Sequence, residues 1–281
     1  MGYTIYDHMD NMSEMIHETN ISVSEMSDDI DYLYADVDNL WEVVYRMQKE
    51  MDNMTEEIDE MTSEMEEMQV RINELENMTS CRLVPYSNCA GADFNNTNLS
   101  GMDLTGINFQ NAVLTRANLT DTNLRYADLR YANFQDADLT DADLEDADLR
   151  YANFQDADLT NADLYYADLT NAFLYYADLT NAFLHSADLT NANLRDADLT
   201  DAYFENADLT NANLRDADLT DAYLGYAYLT NAFLYSADLT SAYLFDADLT
   251  DASFNYADLS DADLRDADLT DAYLGYADLT N

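Results

Sequence analysis

The chain has 281 residues and a formal charge of −47, because 58 acidic side chains face only 11 lysines and arginines. This balance excludes a basic patch for nucleic acid and favours cations or basic proteins as partners, or else it simply keeps a repetitive protein soluble. No apolar run reaches the roughly 18 residues of a membrane span, and the N-terminus has neither a secretory signal nor a myristoylation motif, so no membrane insertion is expected.

Residues 9–79 carry apolar side chains at alternating steps of three and four. The a positions run from Met9 to Ile72 and the d positions from Met12 to Leu75, with Thr19 as the one polar exception. Such heptads specify a parallel coiled coil, here a rod of roughly 105 Å, which requires partner helices and therefore a homo-oligomer. The residues predicted to form the oligomer are Ile30, Leu33, Val37, Leu40, Val44, Ile58, Arg71, Ile72, Leu75 and Glu76.

The last heptad indicates how many helices the coiled coil contains. Residues 71–76, RINELE, resemble the trimerisation motif of short coiled coils, in which Arg71 packs over the core and pairs with Glu76 of a neighbouring chain. An ordinary surface ion pair is the alternative, and the adaptable methionines of the d layer are compatible with a dimer. The sequence favours a trimer over a dimer.

Two short segments flank the heptads. Residues 1–8 are expected to anchor the chain to other particle or surface proteins. Residues 80–91 hold the only proline, Pro85, and both cysteines, Cys81 and Cys89. The two thiols either form one disulfide, remain reduced, or leave Cys81 to bridge chains, and the sequence does not decide between these states.

From Ala92 to the end of the sequence, the period is five. Every fifth residue from Phe94 to Leu279 is Leu or Phe, and from Ala127 onward an alanine stands two positions earlier. The pattern A-[DN]-[LF]-x-x over residues 92–281 resembles the pentapeptide-repeat family. The resemblance implies a right-handed quadrilateral β-helix with four pentapeptides per coil, in which the Leu, Phe and Ala side chains point inward. The predicted fold class is therefore α plus β-solenoid, a coiled coil followed by a β-helix.

Two opposite faces of this β-helix carry Leu-Thr-[Asp/Asn] almost without variation. An aspartate precedes the leucine in most of these repeats, and the resulting ladder is expected to stack at about 4.8 Å per coil. Like charges at that spacing repel, so solvent screening, raised pKa values or bridging divalent cations must compensate. The candidate cation ligands are Asp138, Asp158, Asp178, Asp198 and Asp218, and no other cofactor is expected.

The other two faces are rich in aromatic residues. Contiguous exposed aromatic stripes typically mark an interface, either between β-helices of one oligomer or with a sugar or protein receptor on a cell surface. The alternative is β-propensity combined with duplication of repeats. The predicted interaction stripe consists of Phe173, Tyr175, Tyr176, Phe183, Tyr203, Tyr223, Phe233, Tyr235, Tyr243 and Phe245.

No catalytic arrangement is expected. His8, His17 and His185 are scattered, and the sequence contains no phosphate-binding loop, nucleophile elbow or C-x-x-C motif. The architecture indicates a non-enzymatic fibre or appendage component of a virion, located on the particle or another extracellular surface, or otherwise in the cytoplasm.

Two alternatives to the virion fibre remain. Some pentapeptide-repeat proteins mimic DNA and bind type II topoisomerases, and the acidic ladders of this chain suit that function. Those members dimerise through a C-terminal cap and lack a long coiled coil, in contrast to this sequence. The other alternative is a self-assembling filament, because a last coil without a cap is expected to stack on another chain.

Overall fold

The computed structural model describes residues 9–15, 17, 46–51, 54, 61–62, 65, 68 and 81–280. The chain divides into two compact units, Met1–Met78 and Thr79–Asn281. All described residues of the first unit are helical and exposed, with continuous helical segments at 9–15 and 46–51. None of the described helices has the length and apolar character that crossing a bilayer requires.

Several predicted heptad positions lie within these helical residues. Their methionine side chains are 52% to 65% exposed in the single chain. The long coiled coil stays a prediction, because most of its positions lie outside the described residues. The exposed methionines at a and d positions are Met9, Met12, Met47, Met51, Met54, Met61, Met65 and Met68.

The second unit is a β-solenoid with a repeat of 20 residues per coil. Parallel β-bridges join each pairing residue to the residue 20 positions later, from Asn88↔Asn108 to Asp258↔Asp278. Each strand is a single bridging residue, and four pentapeptides complete one coil. The predicted quadrilateral β-helix is thus confirmed, and its pairing begins at Asn88, ahead of the predicted boundary at Ala92.

Every backbone N–H of a typical pentapeptide has an acceptor, as residues 158–162 show. The N–H groups of Asp158, Leu159 and Asn161 donate to carbonyls of neighbouring coils at 2.7 to 3.0 Å. The N–H of Ala162 donates to the Leu159 carbonyl at 2.9 Å and closes a turn. The remaining N–H, that of Thr160, donates to Asp158 Oδ1 at 2.9 Å. Where Asp or Asn precedes the central Leu or Phe, its side chain therefore satisfies the one backbone N–H that the pairing between coils leaves without an acceptor.

The corner of each pentapeptide requires a left-handed backbone conformation. Asn161, the third residue of the turn, has φ 57°, and the equivalent residue of nearly every other repeat also has positive φ. This is the arrangement of a type II turn, which favours Gly, Asn and Asp and disfavours β-branched residues. No Val, Ile or Thr occupies this corner position between residues 86 and 276.

The core is a continuous column of the inward residues. The central Leu and Phe side chains, and the alanines two positions before them, are almost fully buried from Leu99 to Leu259. Thr122 replaces one alanine, and its buried hydroxyl donates to the Leu99 carbonyl at 3.1 Å. Stacking of coils therefore buries a single core along the solenoid, as in other repeat proteins.

The 20-residue coil sorts the outward side chains onto four faces. Side chains at the same position of successive coils lie above one another, about 4.8 Å apart. Faces 1 and 3 lie opposite each other, as do faces 2 and 4. Each face is a set of pentapeptides at 20-residue intervals: face 1 from 92–96 to 272–276, face 2 from 97–101 to 277–281, face 3 from 102–106 to 262–266, and face 4 from 87–91 to 267–271.

Candidate interaction faces

The five predicted ladder aspartates occupy one column of face 2. Asp138, Asp158, Asp178, Asp198 and Asp218 are joined in succession by parallel bridges. Each carboxylate accepts a hydrogen bond from the backbone N–H two residues later, and in four of them also from that residue's hydroxyl. These local bonds give the aspartates a structural role, while cation binding by the column stays a prediction.

A tighter group of carboxylates lies on face 3. Ligand atoms of Asp143, Glu145 and Asp163 lie within 4.8 Å of one another, the only such trio among the described residues. Burial raises the pKa of Asp163, and the charges of Asp143 and Glu145 add to this shift. Arg125 contacts Glu145 and lies 3.6 Å from Asp143 Oδ2, so the protein itself supplies a compensating cation.

An aromatic ladder continues along face 3. Phe183, Tyr203, Tyr223 and Tyr243 occupy the position that Asp or Asn holds in most repeats, and their rings stack in sequence. Successive centroids are 5.2, 4.7 and 4.8 Å apart, with interplanar angles of at most 11°. The spacing matches the rise of one coil, so the β-helix itself imposes this stack.

His185 lies within this ladder. Its ring centroid is 5.6 Å from that of Tyr165 and 5.8 Å from that of Tyr203, and its Nε2 lies 2.7 Å from Glu205 Oε2. Its Nδ1 is buried and has no hydrogen-bond partner among the described residues. Sequence reasoning missed this pair, although the 20-residue offset between His185 and Glu205 signals their contact.

The aromatic residues of face 1 are more exposed. Phe173 and Phe233 are 45% and 55% exposed, and Tyr273 is 61% exposed. The Arg215 guanidinium carbon lies 4.9 Å from the Tyr235 ring centroid, a cation–π contact. Arg215, Phe233 and Tyr235 border a shallow concavity of about 460 Å³, which is also lined by Asn211, Asn213 and Ser253.

The structure therefore divides the predicted interaction stripe between two opposite faces. Phe173, Tyr175, Tyr176, Phe233 and Tyr235 lie on face 1, and Phe183, Tyr203, Tyr223, Tyr243 and Phe245 lie on face 3. Four of the ten are only half-buried rather than fully exposed: Tyr175, Tyr203, Tyr223 and Phe245.

Face 4 carries an ion-pair ladder that sequence reasoning did not single out. Arg130 donates to Asp128 through Nε and Nη2 at 2.8 and 2.6 Å, and Arg150 repeats this geometry with Asp148. The Arg130 guanidinium also reaches Asp148 of the next coil at 3.4 Å. The exact repetition of ADLRY one coil later was the available signal.

The junction ahead of the first coil contains a disulfide between Cys81 and Cys89. Cys89 occupies the central inward position of its pentapeptide and is buried. Tyr86 lies over Gly106, where a Cβ atom would collide with the tyrosine ring. The junction is therefore packed onto the first coils of the β-helix.

The predicted oligomerisation residues lie outside the described residues, as does the predicted anchor at residues 1–8. The trimer, the RINELE lock and the anchor therefore stay predictions. The affected residues are Ile30, Leu33, Val37, Leu40, Val44, Ile58, Arg71, Ile72, Leu75 and Glu76.

The solved structures similar to this chain include other pentapeptide repeat proteins. HetL, a pentapeptide repeat protein involved in heterocyst differentiation regulation in the cyanobacterium Nostoc sp. strain PCC 7120, is 29% identical with a TM-score of 0.51. The match covers 74% of this chain and 94% of HetL. Rfr23 from the cyanobacterium Cyanothece 51142 is 36% identical over 34% of this chain and 63% of its own, with a TM-score of 0.30.

A third similar structure is QnrB1, a plasmid-mediated fluoroquinolone resistance protein. It is 20% identical over 68% of this chain and 91% of its own, with a TM-score of 0.42. A search of curated protein sequences found no match.

The family model for pentapeptide repeats matches in eight copies that together extend from residue 87 to residue 281. The matched segments are 87–125, 103–141, 127–164, 137–175, 177–216, 187–225, 217–255 and 247–281. The coil geometry and this match agree: the chain belongs to the pentapeptide-repeat family.

Proposed function

We propose that this protein is a non-enzymatic assembly protein, namely an oligomeric fibre or appendage component of a virion. In this proposal the coiled coil of residues 9–79 joins three chains, and each chain displays one β-helix. Pentapeptide-repeat proteins are in general structural or interaction proteins, and no enzyme family is indicated for this chain. The observation that carries the proposal is that one chain combines ten heptads, with Thr19 as the one polar exception, and a β-helix.

Multivalency is the physical reason why such an oligomer suits attachment to a surface. A trimeric stalk holds three copies of each outward face at a high effective concentration, so weak individual contacts add to strong attachment. The exposed aromatic residues of face 3, such as Phe183 and Tyr243, are groups available for such contacts. Residues 1–8 connect the stalk to the particle, and the β-helices face the surroundings on the virion or another extracellular surface.

The native mass of the full chain tests the oligomer. We expect light scattering to give three times the chain mass of 31.9 kDa. Leu75→Asp places a charge in the predicted d layer and should lower the mass, whereas Asn77→Asp, at an outward heptad position, should leave it unchanged. A mass of one chain for the unaltered protein contradicts the proposal. Negative-stain micrographs should show stalks that end in compact lobes.

DNA mimicry is the second candidate function. Face 2 carries thirteen aspartates and no basic residue, a column of negative charge that favours proteins adapted to nucleic-acid phosphates. In a supercoiling assay with a type II topoisomerase, this candidate requires inhibition by the purified protein that weakens as salt rises. A native mass of two chains favours this alternative over the trimeric fibre, because a three-fold assembly does not imitate a straight duplex.

A further inference from the structure

The charge of the β-helix is distributed unevenly among its four faces. Face 2 carries thirteen acidic residues without a basic one, and faces 3 and 4 each carry nine acidic residues against two arginines. Face 1 carries only five aspartates and three arginines. One face is thus nearly neutral on a chain whose formal charge is −47.

The arginines of face 1 are all paired with aspartates of the same face. Arg116 lies 3.4 Å from Asp136 of the next coil. Arg195 and Arg215 each pair with the aspartate that follows, at 3.1 and 3.0 Å between Nε and Oδ2. These pairs leave Asp93 and Asp156 as the net charges of the face. The whole C-terminal half of face 1, from Ala172 to Tyr276, has no net charge.

The neutral half of face 1 is also where exposed aromatic side chains concentrate. Phe173, Phe233 and Tyr273 stand at the pairing position that carries aspartate in most repeats. Tyr256 and Tyr276 stack above one another with centroids 5.1 Å apart and remain more than half exposed. Depletion of charge together with aromatic residues and arginine is the composition of a protein–protein interface core.

We propose that face 1 is the surface through which copies of this chain meet, with the β-helices of one oligomer turning this face towards their common axis. Two copies that meet through face 2, 3 or 4 bring together surfaces of the same negative sign, which is strongly unfavourable. Face 1 alone escapes this repulsion. The inference rests on the proposed oligomer, and it implies that faces 2, 3 and 4 remain outward for other partners.

Three serines give a matched cross-linking experiment on the full chain. Ser236, Ser186 and Ser241 occupy the same position of the repeat, with φ of 55° to 60°. Ser236 lies at the corner between faces 1 and 2, Ser186 at the corner between faces 3 and 4, and Ser241 at the corner between faces 2 and 3. Both native cysteines are in the disulfide, so Ser236→Cys, Ser186→Cys or Ser241→Cys adds the only free thiol. With a short bis-maleimide, we expect covalent dimers from Ser236→Cys and at least tenfold less from the other two.

Introducing a charge on face 1 provides a second test of the proposed contact. Phe233→Asp and Phe183→Asp restore the residue that most repeats carry, one on face 1 and one on face 3, so both variants should fold. In the Ser236→Cys background, Phe233→Asp should abolish cross-linking and Phe183→Asp should preserve it. Circular dichroism of both variants confirms that the β-helix is intact.

The possible results separate this inference from the proposed oligomer. An oligomeric native mass without selective cross-linking of Ser236→Cys overturns the inference but not the proposed stalk. In that case face 1 is available to another ligand, such as a neutral glycan. A native mass of one chain, together with selective cross-linking at high protein concentration, supports contact through face 1 and contradicts the trimeric coiled-coil stalk. Equal cross-linking of all three variants also overturns the inference.

Discussion

Ser260 donates two hydrogen bonds to the same oxygen of Asp258. Its backbone N–H lies 2.9 Å and its hydroxyl 2.5 Å from Oδ1 of that carboxylate. The hydroxyl bond first, and the N–H bond with it, hold the pKa of Asp258 below its ordinary value. The same geometry recurs with threonine along faces 2 and 4, for example between Thr180 and Asp178. The repeated Asp-Leu-Thr is thus a hydrogen-bonded unit of the backbone corner.

Ser260→Ala should therefore raise the pKa of Asp258 towards its ordinary value. A carboxyl whose pKa is lowered in the folded state contributes stability above its unfolded pKa, and this contribution is lost as pH falls through the folded pKa. The variant should lose part of that contribution and unfold at a higher pH than the unaltered chain on acidification. Ser260→Thr keeps the hydroxyl and serves as control. Carboxyl NMR titration measures the pKa, and an unchanged value in Ser260→Ala contradicts the assigned cause.

Asp163→Asn should stabilise the β-helix at neutral pH. The pKa of Asp163 is raised, first by burial and then by Asp143 and Glu145, so its charged form opposes folding. Asparagine occupies this position naturally at Asn123 and can accept the N–H bond that Tyr165 donates at 3.1 Å. Removing the repulsion between two neighbouring like charges on a sheet should raise the free energy of unfolding by roughly 0.2–1 kcal/mol.

The pH dependence of this gain has a definite sign. Because the folded pKa of Asp163 is raised, the advantage of the variant should be largest above that pKa and disappear as pH falls through it. Asp143→Asn is the comparison, because it relieves the same repulsion but also removes a partner of Arg125, so its gain in stability should be smaller. Urea unfolding at several pH values measures the difference, and equal gains from both variants contradict the explanation.

Salt should stabilise the protein without a specific cation. Raising ionic strength from about 0.01 M to 0.15 M shortens the screening length from roughly 30 Å to 8 Å, which weakens repulsion along the face 2 column. We expect the Tm to rise by roughly 2–4 °C, equivalent to about 1 kcal/mol for a unit of this size. CaCl2 at the same ionic strength should add nothing. A further, saturable rise that Asp158→Asn removes demonstrates instead that the column binds calcium.

The repeat itself made most of the β-helix predictable. A period of five with Leu or Phe at its centre determines coil length, core residues and the assignment of Asp138 and Tyr203 to particular faces. The start of pairing at Asn88 was less visible, because Cys89 replaces the usual central Leu or Phe. The 20-residue offset places His185 beside Glu205, but the distance of 2.7 Å between Nε2 and Oε2 depends on side-chain rotamers, which the repeat pattern does not specify.

Leucines at the same position of the repeat should differ in their contribution to stability. Leu219 and Leu279 both lie in the sequence ADLT on face 2, but Leu219 is fully buried and Leu279 is 50% exposed. Leu219→Ala leaves a cavity in the column and should cost about 2–5 kcal/mol. Leu279→Ala removes a side chain that solvent already contacts and should cost about 1 kcal/mol or less.

Urea unfolding of the full chain, monitored by tyrosine fluorescence and circular dichroism, measures both variants. Because each coil contacts only its neighbours, a cavity at Leu219 weakens the interfaces on both sides and should also broaden the transition. Leu279→Ala should shift the transition slightly without broadening it. Equal losses of stability in the two variants contradict the packing that distinguishes these residues.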